Sequence, residues 1–150
     1  MESTVRWTGV SGMTFLAETG SGHVVAMDGA PDGGGRNLAP RPMEMVLLGT
    51  GGCTAYDVVL ILRKSGQKIS NCEVKLTAER ADKEPKVFTK IHFHFVITGR
   101  NVKTNTVERA IKLSHEKYCS ASIMMEKTAE ITHTYEIIDE AEPSAGPKMD

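Results

Sequence analysis

Residues 45–62, MVLLGTGGCTAYDVVLIL, constrain this chain more than any other stretch. Pro42 stands just before them, where a missing N–H does no harm and a helix can start, and Gly66 marks a stop. The pattern predicts a helix from Pro42 to about Lys64 that is apolar on nearly every side. A helix of that kind has to be surrounded by protein. One small sheet covers one side only, so the sequence points to another chain for the rest. The length would suit a membrane span. Asp57, Tyr56, two threonines and three glycines inside the run, with no second span and no flanking basic bias, favour a buried helix instead.

Short β-prone runs punctuated by glycine precede this helix, at residues 4–8, 13–18 and 23–27. The Gly- and Pro-rich residues 29–41 read as a mobile loop, either linker or lid. Beyond the helix, residues 71–80 alternate, with Cys72, Val74, Leu76 and Ala78 on one face, as in a half-buried strand. Residues 87–98 make a longer β-branched and aromatic strand. Asn105 followed by Glu108 has the form of a capping box. Val107, Ala110, Ile111, Ser114 and Tyr118 form the inner stripe of the helix it opens. Ser120 or Ser122 offers a fresh cap before a short helix over 123–129, and residues 130–138 alternate as a final strand. The fold class is therefore α+β with antiparallel sheets, since the turns between consecutive strands are too short for crossovers. One domain spans 1–138, and residues 139–150 read as a disordered tail.

With 18 basic and 19 acidic residues in 150, the net charge is −1. That balance gives no electrostatic footprint for nucleic acid or an anionic membrane. The N-terminus lacks the basic-then-apolar order of a secretory signal. Three cysteines without such a signal imply free thiols in a reducing, cytoplasmic setting.

Two of those thiols lie on helical segments 66 positions apart. Cys53 sits beside Gly49, Gly51 and Gly52, which cost the helix about 1 kcal/mol each relative to Ala. Their return is close approach of another backbone or access for a substrate. A reactive thiol and a small buried filler are both consistent with that setting. Cys119, in EKYCSASIMMEK, lies at the start of the short helix, where unpaired amides favour a thiolate. Met124 and Met125 offer either a soft wall for an apolar substrate or ordinary core. Cys72 reads as inert packing. His92 and His94 share one strand face, but spacing marks no third ligand, so a solvated face is preferred to a metal site. His115 and His133 receive no role, and no cofactor fingerprint appears.

PMEMVLLGTGGCTAYDVVLILRKSG, followed much later by EKYCSASIMMEKTAEI, resembles the OsmC/Ohr family of thiol peroxidases, especially its YhfA-like branch. The likeness runs from about Val5 to Ile138. It implies an interwound homodimer in which two curved antiparallel sheets wrap the long cysteine-bearing helices. It also implies reduction of organic hydroperoxides through a Cys53–Cys119 disulfide, in defence against oxidative stress. Cys53 matches the attacking cysteine and Cys119 the resolving one, while an external dithiol, a lipoyl protein in some relatives, resets the bridge. The implied partners are a second copy of the chain, a hydroperoxide and that dithiol, without cofactor, metal, nucleic acid or membrane.

The match departs from the family at two places. The family's carboxylate stands ten residues before the first cysteine, where this chain has Met43. Glu44, one residue later, falls on the opposite helix face after nine steps of about 100°. It serves either a partner chain's site or the helix N-terminus. Arg36 is the better candidate for the activating arginine and Arg41 the runner-up. Asp57, one turn after Cys53, would anchor that arginine or, unpaired, raise the thiol pKa. These departures keep a second reading open: a small-ligand-binding or redox-sensing dimer without efficient peroxidase activity.

Overall fold

The long helix, α1, runs from Pro42 to Lys64, and its ends show why it starts and stops there. Glu44 reaches back so that its Oε2 accepts the Arg41 backbone N–H at 2.9 Å, the carboxylate half of a capping box. At the other end Gly66 takes φ +75°. Its N–H reaches the Arg63 carbonyl and the Gln67 N–H reaches Leu62, closing a Schellman turn. The computed structural model describes residues 1–9 and 11–140, so most of the expected C-terminal tail lies outside the described residues. The chain divides into two compact units, one ending at Gly49 and the other beginning at Thr50.

In the first unit β1 (Ser3–Trp7), β2 (Phe15–Thr19) and β3 (Val24–Met27) form an antiparallel meander. The Gly- and Pro-rich segment that follows is folded around Asp28. That carboxylate accepts the backbone N–H groups of Gly29, Arg36 and Leu38. The amide of Leu38 above all, and those of Gly29 and Arg36, hold its pKa below the ordinary value. A 3₁₀ turn at Pro31–Gly33 lies within the segment.

The second unit holds the rest of α1 and a sheet of β4 (Lys68–Arg80), β5 (Phe88–Arg100) and β6 (Glu130–Asp139), in that spatial order. Between β5 and β6 come α2 (Thr104–Leu113), a π turn at Ser114–Tyr118 and α3 (Ser120–Met125). The α+β class holds, with one change of direction. β4 and β5 are antiparallel, but β6 pairs with β5 in parallel. The helical stretch acts as the crossover that a parallel pair needs. Phe93, Phe95, Ile91 and Ile97 of β5 are buried together with Val58 and Leu62 of α1 and Val107 of α2.

Local expectations change in this stretch. Thr104 opens α2 with Lys103 as its N-cap and no side-chain cap. Asn105 therefore lies inside the helix, and the Glu108 carboxylate accepts the Tyr135 hydroxyl at 2.7 Å instead of closing a capping box. Val107, Ala110, Ile111 and Ser114 form the buried stripe as expected, but Tyr118 is exposed. The π turn inserts an i→i+5 bond, Cys119 N–H to the Ser114 carbonyl, and the extra residue rotates Tyr118 off the stripe.

His133 of β6 stacks on Phe93 and meets His115 of the π turn edge-on at 4.8 Å. His133 Nε2 and His115 Nδ1 are both buried and meet no hydrogen-bond partner among the described residues. Burial first, then the neighbouring His115 and His92, lowers the His133 pKa from 6.5 to about 4. The unfolded chain thus binds a proton that the folded chain refuses between those values, so stability falls as pH drops from about 6.5 toward 4. With allowance for solvent at the partly exposed ring, the loss is about 2 kcal/mol. Urea midpoints measured across that range should fall with pH, and His133→Phe should flatten the dependence.

Candidate functional site

The site is built where α1 passes the start of α3. Thr50, Gly51, Thr54, Val58 and Leu62 are the buried residues of α1, a stripe at helical spacing. Cys53 and Asp57 flank that stripe, one turn apart and half-buried. Gly51 permits a close approach to the sheet, since a Cβ there would stand 2.5 Å from Leu76 Cδ1 of β4.

Cys119 is fully buried and is itself the N-cap of α3. The expected caps, Ser120 and Ser122, are instead the first and third residues of that helix. The Cys119 sulfur takes the capping role by accepting the Ser122 N–H at 3.4 Å. Thr54 Oγ1 lies 3.2 Å from the same sulfur and 3.0 Å from the Thr50 carbonyl. The Cys53 and Cys119 sulfurs and an Asp57 carboxylate oxygen all lie within 4.8 Å of one another. Ser114 Oγ donates to Asp57 Oδ2 at 3.2 Å. A chain separation of 66 residues has thus been closed to less than the length of one helical turn.

The two thiols are electrostatically unequal. Burial raises the Cys119 pKa, but hydrogen bonds from Ser122, Thr54 and Cys53 outweigh it and the net direction is down. Cys53 moves up, through burial, its hydrogen bond to Cys119 and the nearby negative charges of Cys119 and Asp57. The last of these is the effect expected of an aspartate that, among the described residues, makes no ion pair. The arrangement therefore makes Cys119 the more acidic of the two thiols. The greater acidity read for Cys119 from its place before a short helix agrees in direction. Cys72 of β4 is raised to about 11 by burial alone, which suits an inert thiol.

The other expected site groups have local partners. The Glu44 carboxylate is engaged at the N-terminus of α1. Arg36 Nη2 donates to the Ser11 carbonyl at 2.6 Å and to Ser11 Oγ at 2.9 Å. His92 and His94 hydrogen-bond across to Thr132 and Thr134 of β6. The sequence assigned Thr54, Ser114 and Ser122 no part in the site, giving Ser114 only a place on a helix stripe and Ser122 only a helix cap. The only signals for them were adjacency to Cys53 and a place three residues after Cys119.

The Thr54 hydroxyl carries one proton, which it gives either to the Thr50 carbonyl or to the Cys119 sulfur. Only the second arrangement stabilises a thiolate. Thr54→Val should therefore move the Cys119 pKa upward. The change should appear in the thiolate absorbance of a background in which Cys53 and Cys72 are serine.

The family model described as OsmC-like protein matches residues 33–134. Protein YhfA of Escherichia coli K12 is 51% identical over 138 residues, covering 92% of this chain and 98% of that protein. A hypothetical protein of Aquifex aeolicus VF5 has a crystal structure similar to this fold, with TM-score 0.80 and 28% identity over 93% of this chain and 97% of that one. An organic hydroperoxide resistance protein OsmC from Legionella pneumophila shares the fold at TM-score 0.67 and 16% identity, covering 91% and 97% of the two chains. Fold, paired thiols and extended identity agree, and the chain belongs to the OsmC-like family, in its YhfA-like branch.

Proposed function

We propose that the protein is a cysteine-based peroxidase that reduces organic hydroperoxides and serves in oxidative stress defence. The observation that carries this reading is the pairing of Cys53 with Cys119 in one polar pocket with unequal acidities. Structural neighbours that bear organic hydroperoxide resistance in their names agree with it. A cavity of about 320 Å³ lies beside the site, lined by Leu60, Ile61, Leu113 and Tyr118 together with the polar Asp57, Lys64 and Ser65, and has an apolar wall for an organic group.

Cys53 is the accessible sulfur and Cys119 is sealed, so Cys53 attacks and Cys119 resolves. The proton between them shifts to Cys119, and the Cys53 thiolate attacks the distal oxygen of ROOH. The O–O bond breaks, and the departing alkoxide takes the Cys119 proton to leave as ROH. Cys53 is now a sulfenic acid and Cys119 a thiolate, which attacks the Cys53 sulfur and expels hydroxide, protonated to water. The sulfurs close from within 4.8 Å to a bond of about 2 Å. An external dithiol, with lipoyl protein as the candidate, exchanges with the disulfide and restores both thiols.

The working form in this proposal is a homodimer in the cytoplasm, in keeping with a family of soluble proteins. Leu48, Tyr56 and Leu60 of α1 are exposed in the single chain, with Tyr56 at 70%. A Cβ on Gly52 would meet nothing within 4 Å. A second chain packed on this face answers both facts. The engagement of Arg36 and Glu44 with local partners favours a second reading, a redox-sensing or ligand-binding dimer with slow peroxide turnover.

Reduced protein mixed with an organic hydroperoxide should form the Cys53–Cys119 bridge rapidly, as mapped by mass spectrometry. Cys53→Ser and Cys119→Ser should each abolish turnover, while Cys72→Ser should not. Slow, scattered oxidation of all three thiols would instead support the second reading. Gly52→Ala distinguishes the assembly states. In a monomer the helix gains about 1 kcal/mol from the substitution, whereas in a dimer the added methyl weakens association, seen as a concentration-dependent shift in sedimentation.

A further inference from the structure

We propose that Cys53, Asp57 and Cys119 of the reduced chain form a binding site for a soft divalent metal ion, Zn²⁺ foremost. Two thiolates and a carboxylate are donors that such an ion accepts at about 2.3 and 2.1 Å. Around a tetrahedral ion, ligand atoms at those lengths stand about 3.5 to 3.8 Å apart. The three donor atoms already lie within 4.8 Å of one another. They therefore need to close by about 1 Å, within the reach of side-chain rotation. Three protein ligands leave the fourth position open, in the pattern of exchangeable zinc sites.

The surroundings fit a metal better than they fit three uncompensated anions. Among the described residues Asp57 makes no ion pair, and it accepts a hydrogen bond from the Ser114 hydroxyl. That hydrogen bond fixes the carboxylate, as outer groups around metal ligands do. The Ser122 N–H and the Thr54 hydroxyl perform the same task for the Cys119 sulfur. Full deprotonation of the trio places three negative charges in one half-buried pocket, and a divalent cation reduces that to one. The two thiol protons pass to solvent when the ion binds.

This site goes beyond the peroxidase reading and does not depend on it. The metal and the peroxide compete for the same sulfurs. A bound ion ties up both thiolates, and a Cys53–Cys119 disulfide has no thiolate left to hold the ion. Binding and oxidation are mutually exclusive states of one pocket.

The test is a titration of reduced, metal-free protein with Zn²⁺ alone, in competition with a chromophoric chelator. One ion per chain is expected. Cys53→Ser and Cys119→Ser should each weaken binding by about 100-fold or more, Asp57→Asn by about tenfold, and Cys72→Ser not at all. Circular dichroism of each variant reports folding independently. Disulfide-oxidised protein should bind no ion at this stoichiometry, and Zn²⁺ should raise the melting temperature of the wild type but not of the double cysteine variant. The proposal is overturned if wild type and the double cysteine variant bind equally, or if Asp57→Asn leaves affinity unchanged. Failure of the peroxide reaction with zinc binding intact sinks the enzymatic reading alone. Peroxide turnover without zinc binding sinks the metal site alone.

Discussion

A sulfur used as a helix cap holds the site together. Cys119 closes the first turn of α3 by accepting the Ser122 N–H, and the Thr54 hydroxyl lies 3.2 Å from the same atom. Thr54 belongs to the buried stripe of α1, which also carries Val58 and Leu62 into the core. The stripe that docks the helix therefore also sets its neighbour Cys53 against Cys119. Packing and chemistry are coupled through adjacent residues.

Acidity and accessibility are divided between the two thiols. Cys119 receives the hydrogen bonds and is the more acidic of the two, but it is sealed. Cys53 is reachable, but burial, Cys119 and Asp57 raise its pKa. In the proposed peroxide reduction the Cys119 proton goes to the departing alkoxide. The same pair, with Asp57, supplies the donors for a metal. Both uses draw on one physical fact, the concentration of anionic groups in a partly water-excluded space, where each charge is costly until something compensates it.

Much of the organisation was legible in the chain. Pro42 and Gly66 bracket α1 because a residue without an amide proton and a residue free to adopt positive φ act locally. The alternation of Cys72, Val74 and Leu76 marked one face of β4 for the same reason. The apolar surface on all sides of α1 was equally readable, and the exposed Leu48, Tyr56 and Leu60 are the side that one sheet leaves bare. The capping box at Asn105 failed because Glu108 found the Tyr135 hydroxyl, a partner 27 residues away. Tyr118 left its stripe because a π turn added a residue, a shift that helical periodicity does not contain.

By itself the sequence determined the boundaries of α1, the inward face of β4 and the identity of the three thiols, since these follow from bonds and periodicities within a few residues. The tertiary structure decided what those thiols are for one another. It turned β6 parallel to β5 through a helical crossover and brought the start of α3 to the middle of α1. It also engaged Glu44 with the helix terminus and set Asp57 beside two sulfurs. Such outcomes depend on which distant surfaces bury each other, and a linear pattern of residues does not record that choice.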